Sequence, residues 1–198
     1  MTRSEQKRLA IINAAKQEFI ENGFLAANMN NICVAGEVSK RTLYRHFESK
    51  ELLFEAVLTE IKEKSVAEEK YIFNPEQSLH QQLCTITHNE VKVIYETYGI
   101  ALSRTILMEF FRQPELAKSI TQRLYHTHAV SHWFEQAIIA EKLFAKDVQT
   151  ITSVYVSLLQ GQLFWPQVLD ILPLPAGDEL ERKIDTIVTT VLRAFAKP

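Results

Sequence analysis

Apolar side chains recur along this chain at three- and four-residue steps and almost nowhere at two. Leu9, Ile12, Ala15 and Phe19 form the first stripe, closed by Asn22-Gly23, and predict an amphipathic helix. Two short helical stretches follow, near 29–36 and 40–46. Ser49 then stands as a cap ahead of a longer helix, over about 50–70, that carries Leu52, Leu53, Ala56, Val57 and Ile61. Asn74-Pro75-Glu76-Gln77 reads as a cap with Pro at the first helical position, opening a helix to about Tyr98. Gly99 separates it from a helix over 100–112, and Pro114 opens another to about 141. Val148 to Leu169 is free of charge and helical in pattern. After Pro173, Pro175 and Gly177, Asp178-x-x-Glu181 has the form of a capping box for a last helix ending near Phe195. No stretch alternates with period two over a strand's length, and no internal repeat is visible. The pattern predicts an all-α protein of about nine helices.

Composition narrows the class. With 198 residues, 46% hydrophobic and 23% charged, and only five Gly and six Pro, the chain is neither collagen-like, low-complexity nor disordered. Cys33 and Cys84 are too few for a disulfide scaffold and fit a reducing cytosol. The N-terminus scatters charges through its first turns and has no export-type apolar core. Val148 to Leu169 has the length to cross a bilayer, but Gln149, Gln160, Gln162 and Gln167 make that costly. A helix buried between other helices is expected, in a cytoplasmic protein without a membrane partner. The net charge of −2 divides unevenly. Residues 1–50 hold eight Lys/Arg against five Asp/Glu, and the remainder fourteen against nineteen. A basic head on an acidic body points to a polyanionic partner.

The head carries the chemistry. In Asn28 to Lys50, NMNNICVAGEVSKRTLYRHFESK, two short helices are joined by a tight turn, with Ser39 placed to cap the second. Ile32, Ala35, Val38, Leu43 and Phe47 supply the inward face. Lys40, Arg41, Thr42, Tyr44, Arg45 and His46 remain for solvent, with no acid before Glu48. A helix entering the major groove needs such donors, Arg or Lys for guanine edges and Thr, Tyr and His for phosphates.

Ile11 to Leu58 resembles the DNA-binding region of TetR-family transcriptional regulators. The matching pieces are Ala14-Ala15, Phe19, Gly23-Phe24, Ile32, Val38-Ser39-Lys40, Thr42 to Phe47, and Ser49 to Leu53. Arg104–Leu116 resembles the regulatory domain of AcrR-like members. The resemblance implies a helix-turn-helix domain over 1–49 and a ligand-binding and dimerisation domain over 50–198, linked by the helix at 50–70. It implies a homodimer on double-stranded, palindromic operator DNA, acting as a repressor released by a small effector. It places Lys40, Arg41 and Thr42 near bases, Tyr44, His46 and Lys50 near phosphates, and Asn28 as the cap of the helix across the backbone. The chain departs from the family at Glu37, where the turn normally has Gly, so a left-handed Glu is expected there. Cys33 stands where a small apolar residue is usual and reads as core.

In the body, Val154, Leu158, Gly161 and Trp165 on the uncharged helix, with Ile184, Ile187, Val188, Val191 and Phe195 on the last, are expected to form the dimer interface, the alternative being that these helices fill the chain's own core. Gly161 allows close helix approach and Pro166 ends or kinks its helix. Tyr95, Tyr98, Phe110, Tyr125 and Trp133 are expected to line an apolar or amphipathic ligand site. Arg104 either holds an anionic group there or forms an ion pair with Glu109 or Glu135. His80, Cys84 and His88 lie on one helical face, with His128 and His132 repeating the spacing; such faces bind zinc, or are simply exposed. No cofactor is expected. No G-x-S-x-G, phosphate loop, H-E-x-x-H or C-x-x-C occurs, so a regulator is expected rather than an enzyme. The competing readings are a helical enzyme or a protein-interaction module with an accessory helix-turn-helix.

Overall fold

The computed structural model describes residues 1–66, 71–115, 117–118 and 129–196. The helices are α1 (Arg3–Ala26), α2 (Met29–Ala35), α3 (Lys40–His46), α4 (Lys50–Val66), α5 (Leu79–Lys92), α6 (Ile100–Arg112), α7 (Ala129–Ile139), α8 (Val148–Leu163), α9 (Trp165–Val168) and α10 (Asp178–Phe195). A π-helical turn, Val93–Tyr98, extends α5. Among the described residues there is no strand, only the isolated bridge of Leu143 with Ala196. The all-α class follows. Two compact units form, one from residues 1–67 with 101–126, the other from 68–100 with 127–198.

The first unit is built on α1. Thr2 accepts from the Glu5 amide while Glu5 accepts from the Thr2 amide, so the helix starts with a closed capping box. Gly23, at φ 70 and ψ 171, breaks the helix where the sequence places its stop, and one further turn follows. Phe19, Phe24 and Phe54 then meet in a triangle of ring centroids 5.1–5.7 Å apart, so α1 and α4 share one apolar seam. Helix α6 docks on the same place: Thr105 donates to the Phe19 carbonyl at 3.2 Å, and the Arg112 guanidinium stands 5.8 Å over the Phe24 ring. Arg112 also grips Glu109 with two hydrogen bonds, at 2.8 and 3.2 Å, and Gln113 donates to the same carboxylate. Glu109, 2% exposed, is therefore a partner of Arg112. Glu135 lies 3.8 Å from His132.

The second unit packs α5, α7, α8 and α10 around Trp133, Phe134 and Tyr155, whose rings follow edge to face. Tyr155 shares a 3.1 Å hydrogen bond with Thr87, and burial pushes its hydroxyl far above the ordinary tyrosine range. Two helix starts differ from expectation. The Asn74 side chain closes a local turn on the Glu76 amide at 3.0 Å, so Pro75 sits in that turn and the helix opens only after Ser78. The α10 capping box does not form: Gly177, at φ 53, takes the cap position, and Asp178, Glu179 and Glu181 occupy the first turn, where acidic groups suit the helix dipole.

Residues 71–78 have no helix or strand of their own and are held by side chains: the Phe73 amide donates to Gln136 Oε1 at 2.8 Å, and Gln82 binds at Asn74 and Gln77. The Gln82 amide accepts from the Asn74 amide at 2.8 Å and from the Trp133 indole at 3.1 Å. It donates to the carbonyls of Asn74 and Gln77 at 2.9 and 3.1 Å. Helix α8 starts on the Asp147 cap and ends at Leu163, because Phe164 leaves helical geometry ahead of Pro166. No described helix is long and apolar enough to cross a membrane.

The dimer stripe needs correction. Ile184, Ile187, Val188 and Val191 are all buried against the chain's own core, so their apolar surface is already covered. A stripe at helical spacing records what wants covering, not what covers it. Of that set, Val154 and Gly161 are exposed, and Leu158, Trp165 and Phe195 half-buried.

Candidate nucleic-acid interface

The local chemistry of the head begins with three caps. Asn28 accepts from the Asn30 amide at 2.8 Å, Ser39 from Thr42 at 3.1 Å, and Ser49 from Leu52 at 3.2 Å, so α2, α3 and α4 each start where a short polar side chain occurs. Between α2 and α3, Gly36 lies so close to α1 that an added Cβ would stand 3.1 Å from the Ile32 carbonyl oxygen and 3.4 Å from that of Ala10. Glu37 follows at φ 50, the left-handed turn residue its position requires. The turn is thus tight because one residue has no side chain and the next accepts backbone strain.

Leu43 and Phe47 anchor α3 inward, which turns the opposite face outward. Ser39, Lys40, Arg41 and Arg45 are exposed, Tyr44 is 48% exposed, and Thr42 is half-buried with its hydroxyl 2.9 Å from that of Ser39. Three cations and a phenol therefore share two turns of one free helix face. Two residues from the expected set are placed differently. The Nε2 of His46 is buried without a hydrogen-bond partner, and its pKa is lowered, by burial first and then by Arg45, Arg8 and Lys7. Lys50 points back into its own unit: its ammonium donates to the carbonyls of Leu25 and Ala27 at 3.0 and 3.1 Å and stands 5.0 Å over the Phe24 ring. It terminates the last turn of α1 as a cation at a helix C-terminus does.

Glu18 is a positioning residue that composition alone passes over. It is 8% exposed, and one of its oxygens accepts from the Asn28 amide at 2.8 Å and from the Asn31 side chain at 3.2 Å. That carboxylate ties the start of α2 to α1. The signal was present: Glu18 shares the buried stripe of Ile11 and Ala15. Cys33 is buried, as its apolar surroundings suggest.

The expected ligand residues are divided. Tyr95, Tyr98 and Trp133 belong to the second unit, Arg104 and Phe110 to the first, and Tyr125 and His128 lie outside the described residues. Tyr95 donates to the Leu163 carbonyl at 2.8 Å, and burial pushes its pKa up to about 12. Trp133, 1% exposed, is mainly core. An open cavity of about 290 Å³ in the second unit is lined by Tyr71, Ile72, Gln82, Ile86, Asn89 and the edge of Trp133, among others, and none of the described residues lining it is charged. His80 Nε2 lies 2.9 Å from Asp185, His88 Nε2 lies 3.1 Å from Glu181, and the Cys84 sulfur lies 3.7 Å from His80 Nδ1. Burial, then Asp185 and Glu181, raise the Cys84 pKa.

A capped, cation-bearing helix held off a strained turn by a second short helix, in an all-α chain, defines a helix-turn-helix DNA-binding regulator. The relatives agree. Residues 11–57 match the family described as bacterial regulatory proteins, tetR family, and residues 81–197 match the C-terminal domain of AefR-like transcriptional repressors. The chain belongs to the TetR family of bacterial transcriptional regulators, which are not enzymes. It is 32% identical over 123 residues to the HTH-type transcriptional regulator UidR of Escherichia coli, a match covering 62% of this chain and 61% of that one. The chain therefore spans about three fifths of that curated relative's length. A TetR-family regulator from Pseudomonas syringae pv. tomato superposes with a TM-score of 0.82 at 27% identity, covering 98% and 99% of the two chains. The flavonoid-responsive regulator FrrA superposes with a TM-score of 0.76 at 27% identity, covering 97% and 98%.

Proposed function

We propose that the chain acts as a homodimeric repressor that leaves a palindromic operator when a small effector binds its body. The observation that carries the reading is the free face of α3, where Lys40, Arg41, Tyr44 and Arg45 are exposed together behind the Ser39 cap. In this reading Lys40, Arg41 and Thr42 meet base edges, while Tyr44, Arg45 and the capped start of α2 at Asn28 meet phosphates. Lys50 acts by holding the end of α1 in place. The division into a reading head over 1–49 and a responding body over 50–198 is a functional one.

The dimer face is redrawn on α8. Val154, Leu158 and Gly161 recur at four- and three-residue steps on α8, and Trp165 follows on α9 past the break at Phe164. Among the described residues nothing beyond its chain neighbours and own helix backbone lies within 4 Å of a Cβ built at Gly161. Phe195 extends the face. Two copies pairing there would set their recognition helices about 34–36 Å apart, one turn of B-DNA. For the effector, the uncharged cavity beside Trp133 favours a neutral, amphipathic molecule, and the flavonoid response named for FrrA is of that class. Tyr95 and Tyr98 remain candidates within the same unit. Phe110 and Arg104, the latter as an anion contact, stay candidates from the other unit.

Three measurements test the proposal. Light scattering at micromolar concentration should give twice 22.8 kDa; a particle of 22.8 kDa refutes the dimer. Selection from random duplexes should return an inverted repeat, bound with an affinity that falls steeply with salt. A salt-independent or asymmetric result refutes the operator reading. Arg104→Met, compared with the parent chain against anionic and neutral aromatic compounds, should alter only the response to anions; sharply lowered thermal stability instead assigns Arg104 to structure.

A further inference from the structure

One face of α5 carries chemistry that DNA reading does not use. His80, Cys84 and His88 follow one another at one-turn steps, and the facing residues of α10 are Asp185 and Glu181. His80 Nε2 lies 2.9 Å from an Asp185 carboxylate oxygen, which places the imidazole proton on Nε2 and leaves the Nδ1 lone pair to accept from the Cys84 thiol, whose proton would be released when a metal binds. That lone pair faces the Cys84 sulfur at 3.7 Å. A tetrahedral zinc ion with bonds of about 2.3 Å to sulfur and 2.0–2.1 Å to nitrogen sets its two ligand atoms roughly 3.6 Å apart. The spacing already matches.

The geometry points to a zinc-type metal site in which His80 Nδ1 and Cys84 Sγ are the anchoring ligands and Asp185 orients the imidazole from behind. Carboxylate, imidazole and metal in line is the arrangement that metal-bound histidines adopt. Nitrogen and thiolate together select a late transition ion over magnesium or calcium. Two carboxylates beside a thiol add a field that attracts a cation. His80, Cys84 and His88 are all half-buried, so the face is open to an entering ion. Among the described residues no three such groups already close around one point. The third position is therefore filled on binding, by rotation of His88 or Glu181, which now hold each other at 3.1 Å, or by water. Cys33, buried in the other unit, is the internal control.

The test uses the whole chain and cobalt(II) as the probe, read by the near-ultraviolet charge-transfer absorption that a cobalt–thiolate bond produces. The expected result is saturable absorption at one equivalent, reversed by zinc, lost in Cys84→Ser and lost or strongly weakened in His80→Ala. Asp185 is exposed, so Asp185→Asn should fold normally, keep the absorption and bind about 10–100-fold more weakly. Circular dichroism confirms helical content for each variant. Absence of the band at millimolar cobalt in the folded parent chain overturns the site. So does a band that survives in Cys84→Ser, or unchanged affinity in Asp185→Asn.

Discussion

Glu18→Ala tests how the reading head is held together. The substitution removes one carboxylate oxygen that accepts from both the Asn28 amide and the Asn31 side chain, at a site 8% exposed. Hydrogen bonds to an ionised acceptor contribute about 1.5–3 kcal/mol each, and an orphaned buried donor costs a similar amount. The Asn28 amide is fixed in the backbone and cannot turn to water without moving α2, whereas the Asn31 side chain can. One full loss and part of another give roughly 2–4 kcal/mol. Glu18→Gln keeps an acceptor in place and should cost only about 1 kcal/mol, the charge-assisted share. Both tryptophans, Trp133 and Trp165, lie in the second unit, so urea unfolding followed by tryptophan fluorescence and by far-ultraviolet circular dichroism distinguishes the two units. The dichroism transition should move to lower urea in Glu18→Ala. Duplex binding should weaken with it, because α2, the first helix of the motif, loses its mooring. A change below about 0.5 kcal/mol, the range of ordinary surface substitutions, would refute the reasoning.

Other outcomes follow from the same geometry. Arg41→Ala should flatten preference at one operator position by about 1–3 kcal/mol in a base-by-base binding series, while affinity for random duplex falls much less. His46 has its pKa held below the ordinary 6.5, so the unfolded chain takes up a proton first as pH drops. Stability should therefore decline as pH falls from neutral through 6.5, and His46→Gln should remove that slope in urea titrations on either side of it. Gly36→Ala meets no torsional penalty, since its φ is −85, yet its Cβ would press on two carbonyls of α1 and α2. Thermal unfolding should show a loss of about 1–3 kcal/mol.

How far residues alone led depended on whether the deciding partner was near in sequence. The caps at Ser39 and Ser49 and the break at Gly23 were legible because each is settled within a few residues, whereas the Asn28 cap and the left-handed Glu37 were expected from the family resemblance. Asn74-Pro75 looked like a helix start because the same cap chemistry also closes an isolated turn. What decided between them was Gln82, on the next helix, binding that turn. Distance in sequence also hid the role of Lys50, whose acceptors lie 25 and 23 residues earlier, and the coverage of the α10 stripe by its own chain. The basic face of α3 was plain; its His46 was not, since ring burial depends on neighbours from α1.

The Gln82 amide gives residues 74–77 their address. A stretch that owes its position to a neighbour's side chain can drift in sequence wherever it does not touch that side chain, so variation there should be wide while position 82 stays narrow. The arrangement also ages. Hydrolysis of one amide nitrogen to oxygen leaves the shape of the side chain almost unchanged, but it replaces two donors by lone pairs facing the carbonyls of Asn74 and Gln77. The Trp133 indole and the Asn74 amide would keep their acceptor while the carbonyls of Asn74 and Gln77 lost their donor. An old molecule would thus loosen Asn74 to Gln77, with Phe73 still held by Gln136 and every peptide bond intact, and a mass change of about 1 Da, amide to acid, would mark the event.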